Sequence, residues 1–307
     1  IGGLLAELSR RRAGGGGCFV RMGPRSPKDA PTILAQPWGL PEGRLRAALA
    51  GVGLPRPGPG GEDAHEMLRL FQTACYRLLR VTSADEAIAL LVSSSRVMED
   101  ICHTLDHGEA GWDMSVVART WDSDIVLERE FRTFVVGGEI TAISQYDDQL
   151  RYDFIVEHRE EIVRAILRAV SHLRPCLQRL GLASPQTALV VDFAVVPAGV
   201  QGEGEAALTA RLIELNPFGP MTGAALFTWT DDRRRLQGGE DIFGDLADHE
   251  LRHPPSSGGP AAEWVGEQTV EGVPFRYLTA NAPGFTWDHL EAFWPDYLQL
   301  LRSAPQK

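Results

Sequence analysis

The sequence predicts an α+β fold in which mainly antiparallel strands and helices occupy separate blocks. Three observations carry this. Between residues 112 and 146 the apolar period is two, and it builds a hairpin, VLEREFRTFVV and EITAISQY, turned by Gly137-Gly138. Two further apolar strands, ALVVDFAVV and TARLIELN, are joined by the Gly-rich stretch PAGVQGEGEAAL, which suits antiparallel neighbours. Helical periodicity is confined to other stretches, without the regular strand-helix alternation of a doubly wound sheet.

Taken in order, residues 1–13 read as a short helix carrying Leu4, Leu5 and Leu8, closed by the glycines at 14–17. The strand CFVRM at 18–22 leads into a Pro-rich turn at 23–28. The segment 40–61 is a helix-like Arg/Leu/Ala stretch followed by LPRPGPGG, too rich in Pro and Gly for regular structure and read as a loop or linker. Helices follow at 63–79 and 83–105. In the second, Ser83 with Glu86 makes a capping box, and Leu90, Leu91 and Val97 supply the buried side. Over 153–180, Ile162, Ile166, Val170, Leu173, Leu177 and Leu180 recur at steps of three and four, a long amphipathic helix with a kink expected near Pro175. Residues 231–263 read as a polar excursion and 285–301 as an aromatic helix docked on the core. Two lobes are expected, 1–112 and 113–307.

A chain of 307 residues that is 44% apolar can bury a sizeable core. It has no long uninterrupted apolar run and no signal-peptide pattern over its first twelve residues, so a soluble cytoplasmic protein is expected. The net charge of -11, with scattered basic residues, argues against general nucleic-acid or membrane-surface binding. Of the basic residues 28 are Arg and 2 are Lys, which leaves Lys28 as the one internal ammonium. Cys18, Cys75, Cys102 and Cys176 lie far apart without a CxxC pair and are expected to be reduced, partly buried thiols. His103 and His107 stand four apart, but Gly108 follows at once and no third ligand is evident, so surface or packing roles are expected.

The chemistry concentrates in two strands. Asp192 is the one polar side chain in ALVVDFAVV, and a buried carboxylate needs a compensating partner. In RLIELNPF, Glu214 and Asn216 are two apart and share a strand face. A connection symmetric about Glu203 would set Glu214 opposite Asp192. Opposed carboxylates repel at close range, and a cation resolves the repulsion. Two carboxylates and an amide carbonyl are hard oxygen donors suited to magnesium. The same pattern is also met if each acid pairs with one of the many arginines, and the sequence leaves both readings open.

Three arginines and Lys28 raise the question of an anion. FVRMGPRSPKDA places Arg21 in the first strand and Arg25 and Lys28 in the turn after it, where cations and backbone N–H groups can hold phosphates. The spacing of a P-loop is absent, and a solvated basic turn is the simpler reading of those residues alone. Arg132 interrupts an otherwise apolar strand. With the Gly-Gly turn setting the register, Glu130, Arg132, Ile143 and Gln145 share one face, so Arg132 either pairs with Glu130 or meets an anionic ligand.

The segments CFVRMGPRSPKDA, AIALLVSSSRVMEDI, SVVARTW, EFRTFVVGGEITAISQYD, ALVVDFAVV, LIELNPFGPMTGAALFTW and FRYL, in this order over 18–278, resemble the cell division cycle protein 123 family of the ATP-grasp superfamily. The resemblance implies an ATP-grasp fold with two lobes clamping ATP. It implies an adenine hinge at Val117, Ala118, Arg119, Thr120 and Trp121, magnesium on Asp192, Glu214 and Asn216, and basic groups of the first strand and turn facing the phosphates. The family commonly carries Lys where this chain has Arg21, in Phe19-Val20-Arg21, so Lys28 becomes a candidate substitute although the two cations differ in geometry. Two functions are compatible with that resemblance. The first, and the main expectation, is an ATP-dependent ligase or phosphoryl- or adenylyl-transfer enzyme in which Arg132 and Lys28 assist transfer to an unknown second substrate. The other is an ATP-dependent assembly chaperone that docks a partner protein, the gamma subunit of eukaryotic translation initiation factor 2 if the source is eukaryotic.

Overall fold

The computed structural model describes residues 16–23, 25–32, 64–106, 115–199, 207–239 and 263–283, with Gly3, Arg44, Ala47 and Ala48. The expectations for 1–13, for most of 40–61, for His107, for 240–262 and for 285–301 lie outside these residues. The rest divides into two compact units that part between Ser123 and Asp124. The strand at 116–120, expected to open the second lobe, therefore belongs with the first unit, because it pairs along its length with the strand at 18–22.

In the first unit, β1 (Cys18–Met22) lies between β2 (Arg80–Val81) and β3 (Val116–Thr120), antiparallel to both. Alternation along β1 buries Cys18, Val20 and Met22. The core is completed by α1 (Ala64–Leu78), α2 (Ala84–Val92) and α3 (Ser95–Asp106) through Phe71, Ala74, Leu78, Leu90 and Val97. The sequence pattern suggests one helix over 83–105, yet the chain breaks at Ser93 and Ser94. Ser93 Oγ donates to Ala89 O (2.6 Å), and Ser94 Oγ accepts the Val97 N–H (3.1 Å), so serine side chains close one helix and open the next. Ser83 caps Glu86 N at 3.2 Å as expected, but Glu86 reaches back to the backbone N–H (2.6 Å) and hydroxyl (2.9 Å) of Thr82. Gly17 sits where an added Cβ would meet Val81 O at 2.6 Å, so the close approach of β1 to β2 requires glycine.

The second unit is a six-stranded sheet in the order β7-β6-β4-β5-β9-β8. Its strands are β4 (Glu130–Val136), β5 (Glu139–Gln145), β6 (Ala188–Pro197), β7 (Leu208–Pro217), β8 (Val265–Val270) and β9 (Val273–Leu278). All neighbours are antiparallel except β5 and β9. Gly137 and Gly138, with φ of 59° and 83°, make the two-residue turn that the sequence predicts. The hairpin register differs from the simple reading, because a bulge between Phe134 and Val135 pairs Phe134 with Ala142 and Arg132 with Ser144. One extra residue reverses the faces beyond it, so Glu130 and Arg132 do not share a face with Ile143 and Gln145.

One face of this sheet carries α4 (Asp153–Arg179), whose Ile155, Ile162, Ile166 and Val170 are buried. Arg159 of α4 donates to Gln268 Oε1 at 2.6 Å, and Gln268 stands opposite Phe275, itself opposite Ile143. This fixes the helix on the Ile143 side. The non-helical residue within α4 is His158, with φ −107° and ψ 16°, rather than one near Pro175. The opposite face is covered by the segment 218–239, including α5 (Arg233–Leu236), through Ala224, Phe227 and Leu236 against Phe134, Ala142 and Val190. The first part of the expected polar excursion is thus packed, since Leu236 is buried. The four cysteines are free thiols, with Cys102 and Cys176 exposed rather than partly buried. Among the described residues no helix is long and apolar enough to cross a membrane.

Candidate functional site

Every strand of the six-stranded sheet contributes one polar residue to a single transverse row. The register sets Glu214 beside Asp192, Asp192 beside Arg132, Arg132 beside Ser144, Ser144 beside Arg276 and Arg276 beside Glu267. Directly opposed residues project to the same face. The row therefore crosses the whole sheet on the side covered by 218–239, beside the apolar row of Val190, Phe134 and Ala142.

At the centre of the row Asp192 is 0% exposed. A carboxylate in that position is several kcal/mol unfavourable unless it is paired and hydrogen-bonded. Arg132 supplies the pair in a bidentate arrangement, Nε to Oδ1 at 2.9 Å and Nη2 to Oδ2 at 2.8 Å. Asn216 adds a third bond, Nδ2 to Oδ2 at 2.9 Å. The Arg132 guanidinium is held in turn by Gly223 O, to which Nη1 donates at 2.5 Å, and lies 4.8 Å over the Tyr146 ring. Burial opposes its charge, but the hydrogen bonds and charge of Asp192, with contributions from Tyr146 and Glu214, raise its pKa and keep it protonated.

The structure brings Asp192, Glu214, Asn216 and Arg132 together. Glu214 faces Asp192 across β6 and β7 as predicted, but the pairs nearer the loop, such as Phe193 with Leu212, run one residue short of the assumed symmetry, and the register shift next to Asp192 supplies the residue that delivers Glu214. Arg132 meets neither Glu130 nor an open cleft as its main partner, because the β4–β6 register delivers it to Asp192. Ser144, Arg276 and Glu267 were not evident as row members in the sequence, since the β8–β9 hairpin that sets Glu267 beside Arg276 joins Ser144 only through the parallel pairing of β5 with β9. The alternation in VGEQTV and VPFRYL was the available signal for those strands.

The other predicted residues belong to the first unit. Arg21 is half-buried, stands opposite Val117, and its Nε donates to Met22 O at 3.3 Å. Arg25 pairs with Asp100 of α3 at 3.2 Å. Lys28 lies in the turn before the 3₁₀ segment Ala30–Thr32. That turn is tied down by Asp29, whose carboxylate accepts from Ser94 Oγ (2.6 Å) and Arg96 N (3.2 Å). Val117, Ala118, Arg119 and Thr120 form the edge strand β3, with Val117, Arg119 and Thr120 exposed. Trp121 follows and packs edge-on against Tyr76, ring centroids 5.9 Å apart.

Among the described residues no group of three or more His, Cys, Asp or Glu side chains is placed to hold a metal. The set to weigh is therefore two carboxylates and an amide. Asp192 and Glu214 stand opposite each other on adjacent strands, and Asn216 is within hydrogen-bonding distance of Asp192. These hard oxygen donors fit a magnesium-type ion that keeps most of its ligands from water and phosphate. Arg132 already engages both oxygens of Asp192, so the fit carries a condition.

The fold and this site define a class: a two-unit α+β protein with a buried acid, arginine and asparagine constellation on a mainly antiparallel sheet. The D123 family model matches residues 72–278, more than half of the chain. The chain belongs to the D123 family, that of cell division cycle protein 123. That match does not include the segment CFVRMGPRSPKDA. The protein is 28% identical over 181 residues to the Translation initiation factor eIF2 assembly protein of Xenopus laevis, covering 57% of this chain and 48% of that one. It is 30% identical over 197 residues to Cell division cycle protein 123 of Eremothecium gossypii, covering 61% and 49%. The chain thus spans about half the length of these curated relatives. The solved structure of Cdc123 from Schizosaccharomyces pombe aligns with a TM-score of 0.45 at 22% identity, over 75% of this chain and 68% of that one.

Proposed function

We propose that this chain is an ATP-grasp-type protein that binds ATP with magnesium and uses the bound nucleotide to assist assembly of a partner protein. The observation that carries the nucleotide part is the convergence of Asp192, Glu214 and Asn216 beside a fixed guanidinium. Magnesium held there would offset the charge of a polyphosphate, and Asp192, Glu214 and Asn216 are the residues that would hold it. Arg21, Arg25 and Lys28, with the edge strand β3, are the proposed phosphate and adenine contacts of the first unit.

The assembly part rests on the relatives named as eIF2 assembly proteins, so a translation factor of that kind is the proposed partner. The names of these relatives favour assembly over an ATP-dependent ligase, a reading that would ask Arg132 to meet a second substrate. Calorimetric titration with ATP is expected to give binding that requires magnesium and is lost in Asp192→Ala. Normal affinity in a folded Asp192→Ala protein would sink the reading. Steady ADP or AMP release with added acid and amine substrates, in the absence of any partner protein, would replace the chaperone by the ligase.

A further inference from the structure

We propose that Arg132 is a latch on the candidate cation site, occupying Asp192 in the empty protein and yielding it only when an anion arrives with the cation. Divalent metal and polyphosphate then bind as one unit instead of in sequence. The inference rests on the cation reading of Asp192, Glu214 and Asn216 given above.

Three features of the geometry lead to it. A carboxylate offers roughly four acceptor positions. At Asp192 three are taken, by Arg132 Nε and Nη2 and by Asn216 Nδ2, so a cation arriving alone finds most of the acid occupied. Asn216 can turn its amide and present oxygen instead of nitrogen, but Arg132 has no such alternative. Its guanidinium carries only donors.

The second feature is confinement. Arg132 sits on an inner strand, with its guanidinium anchored to Gly223 O and stacked on Tyr146. A divalent ion placed at Asp192 and Glu214 would face this fixed positive charge in a site where Asp192 is fully buried, and repulsion is poorly screened there. The third is chemical interchangeability. The planar fork that now grips a carboxylate matches a phosphate equally well, so an incoming polyphosphate can take the guanidinium as the cation takes the acid. A lysine at this position would hold one oxygen at a time and would make a looser latch.

Manganese(II) as the probe, followed by its free-ion electron paramagnetic resonance signal against protein-free solutions holding the same analogue, reads this without any turnover. Wild-type protein is expected to bind manganese weakly alone and roughly 5- to 150-fold more tightly in the presence of a non-hydrolysable ATP analogue. Arg132→Met, checked as folded by near-ultraviolet circular dichroism, is expected to bind manganese without nucleotide at least about tenfold more tightly than wild type. Arg132→Lys is expected to show a smaller gain in the same direction, and it decides the matter if the methionine variant does not fold. Adding Asp192→Asn to either variant should abolish the gain. Equal manganese affinity in wild type with and without the analogue, or unchanged affinity in the folded Arg132 variants, overturns the latch while leaving the proposed function standing. Absence of manganese binding in wild type with the analogue and in both variants overturns both.

Discussion

Arg132 and Arg276 occupy the same transverse row of one sheet, each bonded to carboxylate and each stacked on an aromatic ring, yet the sheet uses them differently. Arg132 pairs within the sheet, with Asp192 on the adjoining strand, and its side chain is 10% exposed beside a carboxylate at 0%. Arg276 donates to Glu267 on the next strand and also reaches off the sheet, to Asp232 at 2.6 and 2.8 Å and to Leu226 O at 3.2 Å, over the Phe227 ring at 4.2 Å. Its side chain is 20% exposed. Arg276 is thereby a strap that pins 226–232 to the sheet. The difference lies in the partner: Arg276 answers acids that water can also reach, whereas Arg132 answers one that water cannot.

The strongest way to break this comparison is to remove the buried acid. Asp192→Ala leaves the Arg132 guanidinium without its carboxylate, and breaking a buried pair in this way destabilises by about 3–5 kcal/mol. Chemical denaturation should place Asp192→Ala well below wild type and Arg132→Met,Asp192→Leu closer to it, because the double replacement leaves no charge stranded. A double variant as unstable as the single would mean that packing, not charge, sets the cost.

A second test concerns the loop that carries the ring under Arg132. Asp147, adjoining Tyr146, is buried, accepts from Tyr152 Oη (2.5 Å) and Gln149 N (2.9 Å), and has its pKa raised from 3.8 to about 6, chiefly by burial. The folded protein therefore holds this proton more tightly than the unfolded chain does. Its contribution to stability is full below about pH 4 and is lost as pH rises towards 6, by about 3 kcal/mol at 1.36 kcal/mol per unit. Asp147→Asn should remove that slope. Urea denaturation of both proteins at pH 4.5 and pH 7 should show the wild-type protein losing stability relative to the variant, and a constant difference would refute the assignment.

The smallest effect is expected at the strap. Arg276→Met retains much of the apolar contact with Phe227 but removes charged hydrogen bonds that water partly screens, so a loss of about 1–2 kcal/mol is expected. Manganese and nucleotide binding should be unchanged. Loss of binding in a folded Arg276→Met protein would erase the distinction between strap and site.

Much of this was legible in the chain itself. The alternation in CFVRM marks β1 and its buried face, and the Gly-Gly pair marks the β4–β5 hairpin. Asp192 announces itself as the lone polar residue of an apolar strand, and an antiparallel return of the chain brings Glu214 to it, with a bulge supplying the last residue of register. These are local signals, fixed by side-chain periodicity and by turns that leave little choice of register. The partner of Arg132 was not legible. The bulge at Thr141, whose hydroxyl donates to Leu236 O at 2.6 Å, removes Ile143 and Gln145 from its face, and the β4–β6 pairing, between strands far apart in sequence, hands it Asp192. Composition and spacing thus determined which residues need partners, because burial of a charge is costly whatever the fold. Tertiary register alone decided which partner each one received, since a one-residue shift in a β-strand reverses every side chain beyond it.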